Sequence, residues 1–370
     1  MKVVFLYELN NITTNYSMIP FYLWAKNNKN VETSFFHQFE NNKKFYGDLL
    51  IIIRRYEVDN LSTEILEKEI NYFYKRFKKI IYFDDSAALS KINWNIVNMI
   101  DLYCKRGLLK DRELYKRKLY GGRIYSDFYH NEFNLFDKKE ANSSIDNSNK
   151  YDWDKVDIAW NIGIGIYFLK GNYIQNNFNN FLKKGSRIYS QIFNSNVNKF
   201  ISSRYIDFMI NNLSASVSEY RNKGIMGRIS SEGYLETVGY QRKKIKEKLQ
   251  ERQINTEKIS FHKYLKDSDN FSAFISPFGW GEICFRDFES ILFGKVLIKP
   301  NCDHIDTWPD IYKHNMYLPI NWKLDNLDEV IQKSLEKEAI ETVNIARLSY
   351  RSALQQINQR VDKIIKKVLD

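Results

Sequence analysis

The chain has 370 residues, 44% of them apolar and 15% aromatic, which is material for more than one ordinary core and excludes a largely disordered protein. Lys and Arg number 56 against 45 Asp and Glu, a balance of +11 that points to an anionic partner. The positive residues are dispersed, and the densest runs, KRFKK (75–79) and QRKKIKEK (241–248), fall in predicted amphipathic helices, so nucleic acid is not the expected partner.

No apolar run reaches the roughly eighteen residues of a spanning helix, and the start MKVVFLYELN lacks a signal-peptide pattern, so the expected compartment is the cytoplasm. Cys104, Cys284 and Cys302 form no CxxC pair, and the five histidines form no HExxH arrangement. Neither a disulfide framework nor a metal is expected, and no other cofactor.

In chain order, VVFLY (3–7), VETSFFH (31–37), DLLIII (48–53) and KKIIYF (78–83) read as strands, with an amphipathic helix over Leu61 to Phe77. DLYCK (101–105) and VDIAWNIGIG (156–165) are further strand candidates, and 138–150 is a polar loop. Continuous apolar strands separated by helices imply a parallel sheet covered on both faces. The pattern restarts with strands at RYIDFMI (204–210), KIS (258–260), FSAFISP (271–277) and KVLIKP (295–300), and helices over Glu232 to Gln253 and Glu282 to Phe293. This predicts an α/β chain of two Rossmann-like domains, 1–195 and 196–325, with a helical tail over 326–370. Leu354, Ile357, Val361, Ile364, Ile365 and Val368 mark an apolar stripe on that tail, which is expected to pack back across both domains.

The stretch FISPFGWGEICFRDFESILFGKVLIKP (274–300) reads as strand, glycine loop, helix and strand. Ligands of open α/β sheets sit at the strands' carboxyl ends, where Gly279 and Gly281, flanking Trp280, would let a ligand approach the backbone and the helix would offer N–H groups to a phosphate. At about 100° per residue, Glu282, Arg286 and Glu289 project within about 60° of one another, apart from Phe285, Phe288, Ile291 and Leu292. The carboxylates suit ribose hydroxyls and the guanidinium a diphosphate. An ordinary surface helix with an i, i+4 Glu to Arg pair gives the same spacing.

The segment PFGWGEICFRDFESILFGKVLIKP resembles the carboxyl-terminal donor-binding signature of GT-B glycosyltransferases, in particular group-1-type bacterial surface-polysaccharide enzymes and their capsule and spore-coat relatives. The resemblance is specific over 270–325, and the GT-B domain order fits the chain. It implies a cytoplasmic, metal-independent transferase with a nucleotide-sugar donor in the second domain and a carbohydrate or lipid-linked glycan acceptor in the first. It gives Glu289 the ribose, Gly279, Trp280 and Gly281 the donor loop, and Arg228, in GIMGRISSEG (224–233), the diphosphate; a solvated loop arginine is the alternative. Six residues separate Glu282 from Glu289 where many retaining members have seven, so Glu289 fits its role better than Glu282 fits the sugar role.

His304, Asp306 and Trp308 lie where the family's next loop passes the ligand, with Trp308 equally suited to anchoring the core. Lys299 is a weaker diphosphate candidate. In the first domain Asp85, with Asp84 after KKIIYF, is a candidate general base or acceptor ligand as well as a helix cap. Arg54 and Arg55 follow LLIII in the same way, and His130 is a loop candidate. The positive balance also suits peripheral contact with an anionic membrane.

Overall fold

The computed structural model describes residues 1–7, 12–37, 39, 42–53, 62–138, 152–165, 195–217 and 224–369. The chain is a mixed α/β protein built on parallel sheets. The first has strand order β2-β1-β3-β4-β5-β7, from β1 (Lys2–Leu6), β2 (Glu32–Phe36), β3 (Gly47–Ile53), β4 (Phe77–Asp84), β5 (Leu102–Lys105) and β7 (Val156–Ile158), every neighbouring pair parallel. Leu49 to Ile53 and Ile80 to Phe83 are buried without alternation, as strands covered on both faces must be. The helix expected over Leu61 to Phe77 runs over Thr63–Tyr74, where the Ser62 hydroxyl accepts the Ile65 N–H; Leu61 lies outside the described residues. Of 156–165 only the first three residues are strand.

The second sheet has order β12-β10-β9-β8, from β8 (Ile225–Met226), β9 (Ala273–Ile275), β10 (Val296–Pro300) and β12 (Leu318–Ile320), again parallel. A two-stranded antiparallel ribbon joins β6 (Gly107–Leu109) to β11 (Ile305–Thr307), one strand from each half of the sequence. More cross-links follow: the Tyr125 hydroxyl donates to the Gly279 carbonyl at 2.8 Å and the Tyr129 hydroxyl to the Trp322 carbonyl at 3.0 Å. Asp137 accepts from both the backbone N–H and the hydroxyl of Thr237.

Two expected strands are absent. Residues 204–210 lie within a helix over Ser195–Ser214, whose Tyr205, Ile206, Met209 and Leu213 are buried at helical spacing. Residues 258–260 are irregular, and Ser260 instead caps the helix Phe261–Asp267 by accepting the Lys263 N–H.

The tail crosses both sheets. The helix Ala339–Gln355 packs on β10, and Ile357–Leu369 packs on β4 and on the helix Ile19–Asn27, where the Trp24 indole N–H donates to Asp362 at 2.6 Å. Every residue of the expected stripe is buried. No helix among the described residues is long and apolar enough to cross a membrane.

Candidate functional site

The carboxyl edge of the second sheet opens into a cavity of about 480 Å³. Arg228 from the loop after β8, Arg242 from the helix Glu236–Glu251, and Arg286 and Glu289 from the helix Phe285–Leu292 all reach it. The guanidinium groups are held mainly by uncharged acceptors. Arg286 donates to the Ile275 carbonyl at 3.2 Å and the Arg228 carbonyl at 2.7 Å, tying the end of β9 to the neighbouring loop. Arg242 donates to the Ser230 and Phe278 carbonyls at 2.6 and 2.8 Å, with its guanidinium over the Tyr234 ring. Arg228 donates to Asn255 at 2.6 Å and meets a carboxylate, Asp267, only at 3.6 Å.

Because carbonyl and amide oxygens orient a guanidinium without neutralising it, the cavity keeps positive charge in a partly desolvated setting. Glu289 is the acid on its wall, 6% exposed and bonded by the Tyr264 hydroxyl. Burial raises its carboxyl above 4.5, against the opposing pull of Arg286 and Tyr264.

The helix carrying Arg286 and Glu289 begins later than its sequence pattern suggests. The Asp287 carboxylate accepts the Cys284 N–H at 2.8 Å, a capping box that fixes the first turn at Phe285. Asp287 itself is held by Ser276, Tyr312 and Lys299. Arg286 and Glu289 therefore share a face, while Glu282 lies before the helix, outside the expected stripe. Lys299 and Asp287 are both fully buried 3.0 Å apart, so Lys299 is an internal ion partner and not a diphosphate ligand.

The two loop glycines serve different surfaces. Gly279 lines the cavity, and a Cβ there would meet only the Tyr234 hydroxyl at 3.6 Å and Cys284 Sγ at 3.7 Å. A Cβ on Gly281 would lie 2.1 Å from the Ala87 carbonyl oxygen, so this glycine is required by close packing against the first half of the chain. Trp280 between them is 44% exposed, its ring centroid 5.3 Å from Tyr234 and its carbonyl accepting from Arg123 at 2.9 Å.

Behind this turn Glu282 is fully buried, and neither carboxyl oxygen has a hydrogen-bond partner among the described residues. His304 Nε2, likewise unpartnered, stands 3.9 Å from Glu282 Oε1, too far for a direct bond. Buried polar atoms are almost always satisfied, so this facing pair is an exception among the described residues.

Asp85 is 3% exposed at the end of β4, accepting from the Thr14 hydroxyl at 3.1 Å and pairing with Arg106 at 3.6 Å; it does not line the cavity. Neither Asp84 nor Asp85 caps a helix: Asp84 accepts from Lys105, Tyr103 and the Ser86 N–H. His130 is structural, bonded to the Leu135 carbonyl and stacked on Tyr120. Asp306 is exposed in β11, while the Trp308 carbonyl accepts from the Asn161 N–H and its ring lies under Arg360, the anchoring role. Arg54 and Arg55 lie outside the described residues.

Arg228, Gly279, Arg286 and Glu289 thus meet at one cavity, Glu282 and His304 meet behind the loop, and Asp85 stands apart. Arg242 and Tyr264 complete the cavity without having been expected there. The signal for Arg242 was its register: it shares the buried stripe of Val238, Ile245 and Leu249 while Lys243 and Lys244 point outward. Tyr264 carried none. Among the described residues no three His, Cys, Asp or Glu side chains gather as a metal site would need.

No protein-family model and no curated protein matches the chain. Among solved structures it is similar to an alpha-glucosyltransferase in complex with UDP and a 13-mer DNA containing a central A:G mismatch, at 10% identity over 99% of this chain and 100% of that one, TM-score 0.40. It is also similar to S. aureus MnaA solved with UDP, at 10% identity over 100% of this chain and 98% of that one, TM-score 0.38. Likeness at this level assigns no activity.

Proposed function

We propose that the chain is a GT-B glycosyltransferase that moves a sugar from a nucleotide-sugar donor to a carbohydrate or lipid-linked glycan acceptor in bacterial surface-glycan synthesis. In this reading residues 1–195 and 196–325 are Rossmann-like acceptor and donor domains joined by the 326–370 helices. The observation that carries it is the cavity at the second sheet's carboxyl edge, where three guanidinium groups and one buried carboxylate converge. That combination matches a nucleoside diphosphate: arginines clamp phosphates, and a carboxylate accepts from ribose hydroxyls.

Arg286, Arg228 and Arg242 would balance the charge growing on the departing diphosphate, a contribution worth about 3 kcal/mol per well-aimed donor. The reading therefore gives no step to a metal. Glu289 would hold the ribose. Glu282 and His304, behind the loop and outside the cavity lining, are given no contact with the sugar in this reading, and acceptor groups would enter from the Asp85 side. Retention of configuration rests on the group-1 resemblance.

A thermal-shift panel of UDP, GDP, dTDP, CMP and ADP with their sugars tests the reading, because a ligand bound only by the native state raises Tm. At least one nucleotide sugar should raise it in the parent and fail to do so in Glu289→Ala. No shift with any of them would remove the support.

A further inference from the structure

A second cavity, of about 340 Å³, shares no lining residue with the candidate donor site. Lys26, Lys29 and Lys199 line it with Ala25, Val31 and Phe200. Its elements are the end of the helix Ile19–Asn27 and the helix Ser195–Ser214 packed against it. Lys26 Nζ donates to the Ser203 hydroxyl at 2.8 Å and Lys199 Nζ to the Thr33 hydroxyl at 3.1 Å. Among the described residues none of the three lysines meets a carboxylate, so the cavity holds uncompensated positive charge.

The helix beside it is built backwards for a surface that meets only water. Phe200 is 55% and Phe208 40% exposed. With the exposed Arg204 they occupy positions i, i+4 and i+8, one stripe on the side opposite the buried Tyr205, Ile206, Met209 and Leu213. Asp207 is the acid exposed beside that stripe. Aromatic rings raised next to a cluster of cations are the pairing an interfacial membrane contact uses: rings enter the headgroup boundary while cations hold anionic lipid.

We propose that this face docks on an anionic lipid bilayer, with a lipid headgroup phosphate in the cavity of Lys26, Lys29 and Lys199 and with Phe200 and Phe208 in the interface. The inference is independent of the donor site, since it uses none of that site's residues. On the proposed function, it would hold the enzyme against the surface that presents its acceptor.

Vesicle sedimentation tests it with the full chain, using phosphatidylcholine vesicles with and without phosphatidylglycerol. The parent should pellet with the anionic vesicles at low salt, remain in solution with phosphatidylcholine alone, and be released by high salt. Each of Lys26→Gln, Lys29→Gln and Lys199→Gln should weaken partitioning about fivefold. The double variant Phe200→Ser, Phe208→Ser should weaken it while leaving Tm unchanged. Equal pelleting with both vesicle types, or partitioning unaltered in all of these variants, would overturn the proposal. So would saturable binding of soluble glycerol phosphate or inorganic phosphate with no sedimentation, which marks a free-phosphate site.

Discussion

The carboxyl edges of the two sheets hold similar charges to opposite effect. At the first, Asp84 pairs with Lys105 at 2.6 Å and Asp85 with Arg106 at 3.6 Å, all four side chains buried, so charge is cancelled inside the protein. At the second, Arg228, Arg242 and Arg286 are oriented chiefly by carbonyl and amide oxygens, and charge remains for a ligand. The presence of charge at a strand end is thus not informative by itself; the nature of its partner is.

The comparison breaks first at Asp84. Asp84→Ala leaves the Lys105 ammonium buried with, among the described residues, only the Ser86 hydroxyl as a side-chain partner. Stability should fall by about 3–5 kcal/mol in chemical denaturation, with nucleotide affinity unchanged in protein that remains folded. Arg286→Ala should do the reverse, lowering the transfer rate by about 100- to 1000-fold in initial-rate assays. A comparable loss of nucleotide affinity in Asp84→Ala would erase the distinction between the edges.

The loop glycines sharpen it. Gly281→Ala forces a methyl into the Ala87 carbonyl and should cost about 1–3 kcal/mol of stability in a thermal melt. Gly279→Ala makes only ordinary contacts, so its Tm should match the parent while the methyl narrows the cavity and weakens nucleotide binding several-fold.

Glu289 tests the acid of the same cavity. Glu289→Gln removes a charged acceptor and should weaken nucleotide binding about tenfold, the 1.4 kcal/mol scale of a charge-assisted bond. Its stability carries a sign that can be checked. Burial raises the folded-state carboxyl above 4.5, so the folded chain holds that proton more tightly than the unfolded chain. The resulting stability is complete below pH 4.5 and is lost as pH rises through the raised value. Melts of ligand-free protein should therefore show the Gln variant gaining on the parent from pH 4.5 upward.

The parallel strands were legible because strands buried on both faces are continuous apolar runs, as DLLIII and KKIIYF are. The strand expected at 204–210 failed because Tyr, Ile, Phe and Met pack equally well on a helix, and the spacing of Tyr205, Met209 and Leu213 is the better signal. Glu289 and Arg286 could be placed from helical angle alone. Glu282 could not, since the angle argument assumed a helix that the Asp287 capping box starts three residues later. What places Gly281 against Ala87 and Glu282 against His304 is contact between distant parts of the chain, which no local pattern encodes.

The central claim is that a nucleoside diphosphate group binds among Arg228, Arg242 and Arg286, and calorimetric titration of the parent and Arg286→Ala tests it most directly. At least one of UDP, GDP, dTDP, CDP and ADP should bind the parent with a stoichiometry of one and bind the variant at least about a hundredfold more weakly. Absence of binding heat for all five, or equal affinity in the two proteins, would contradict the account.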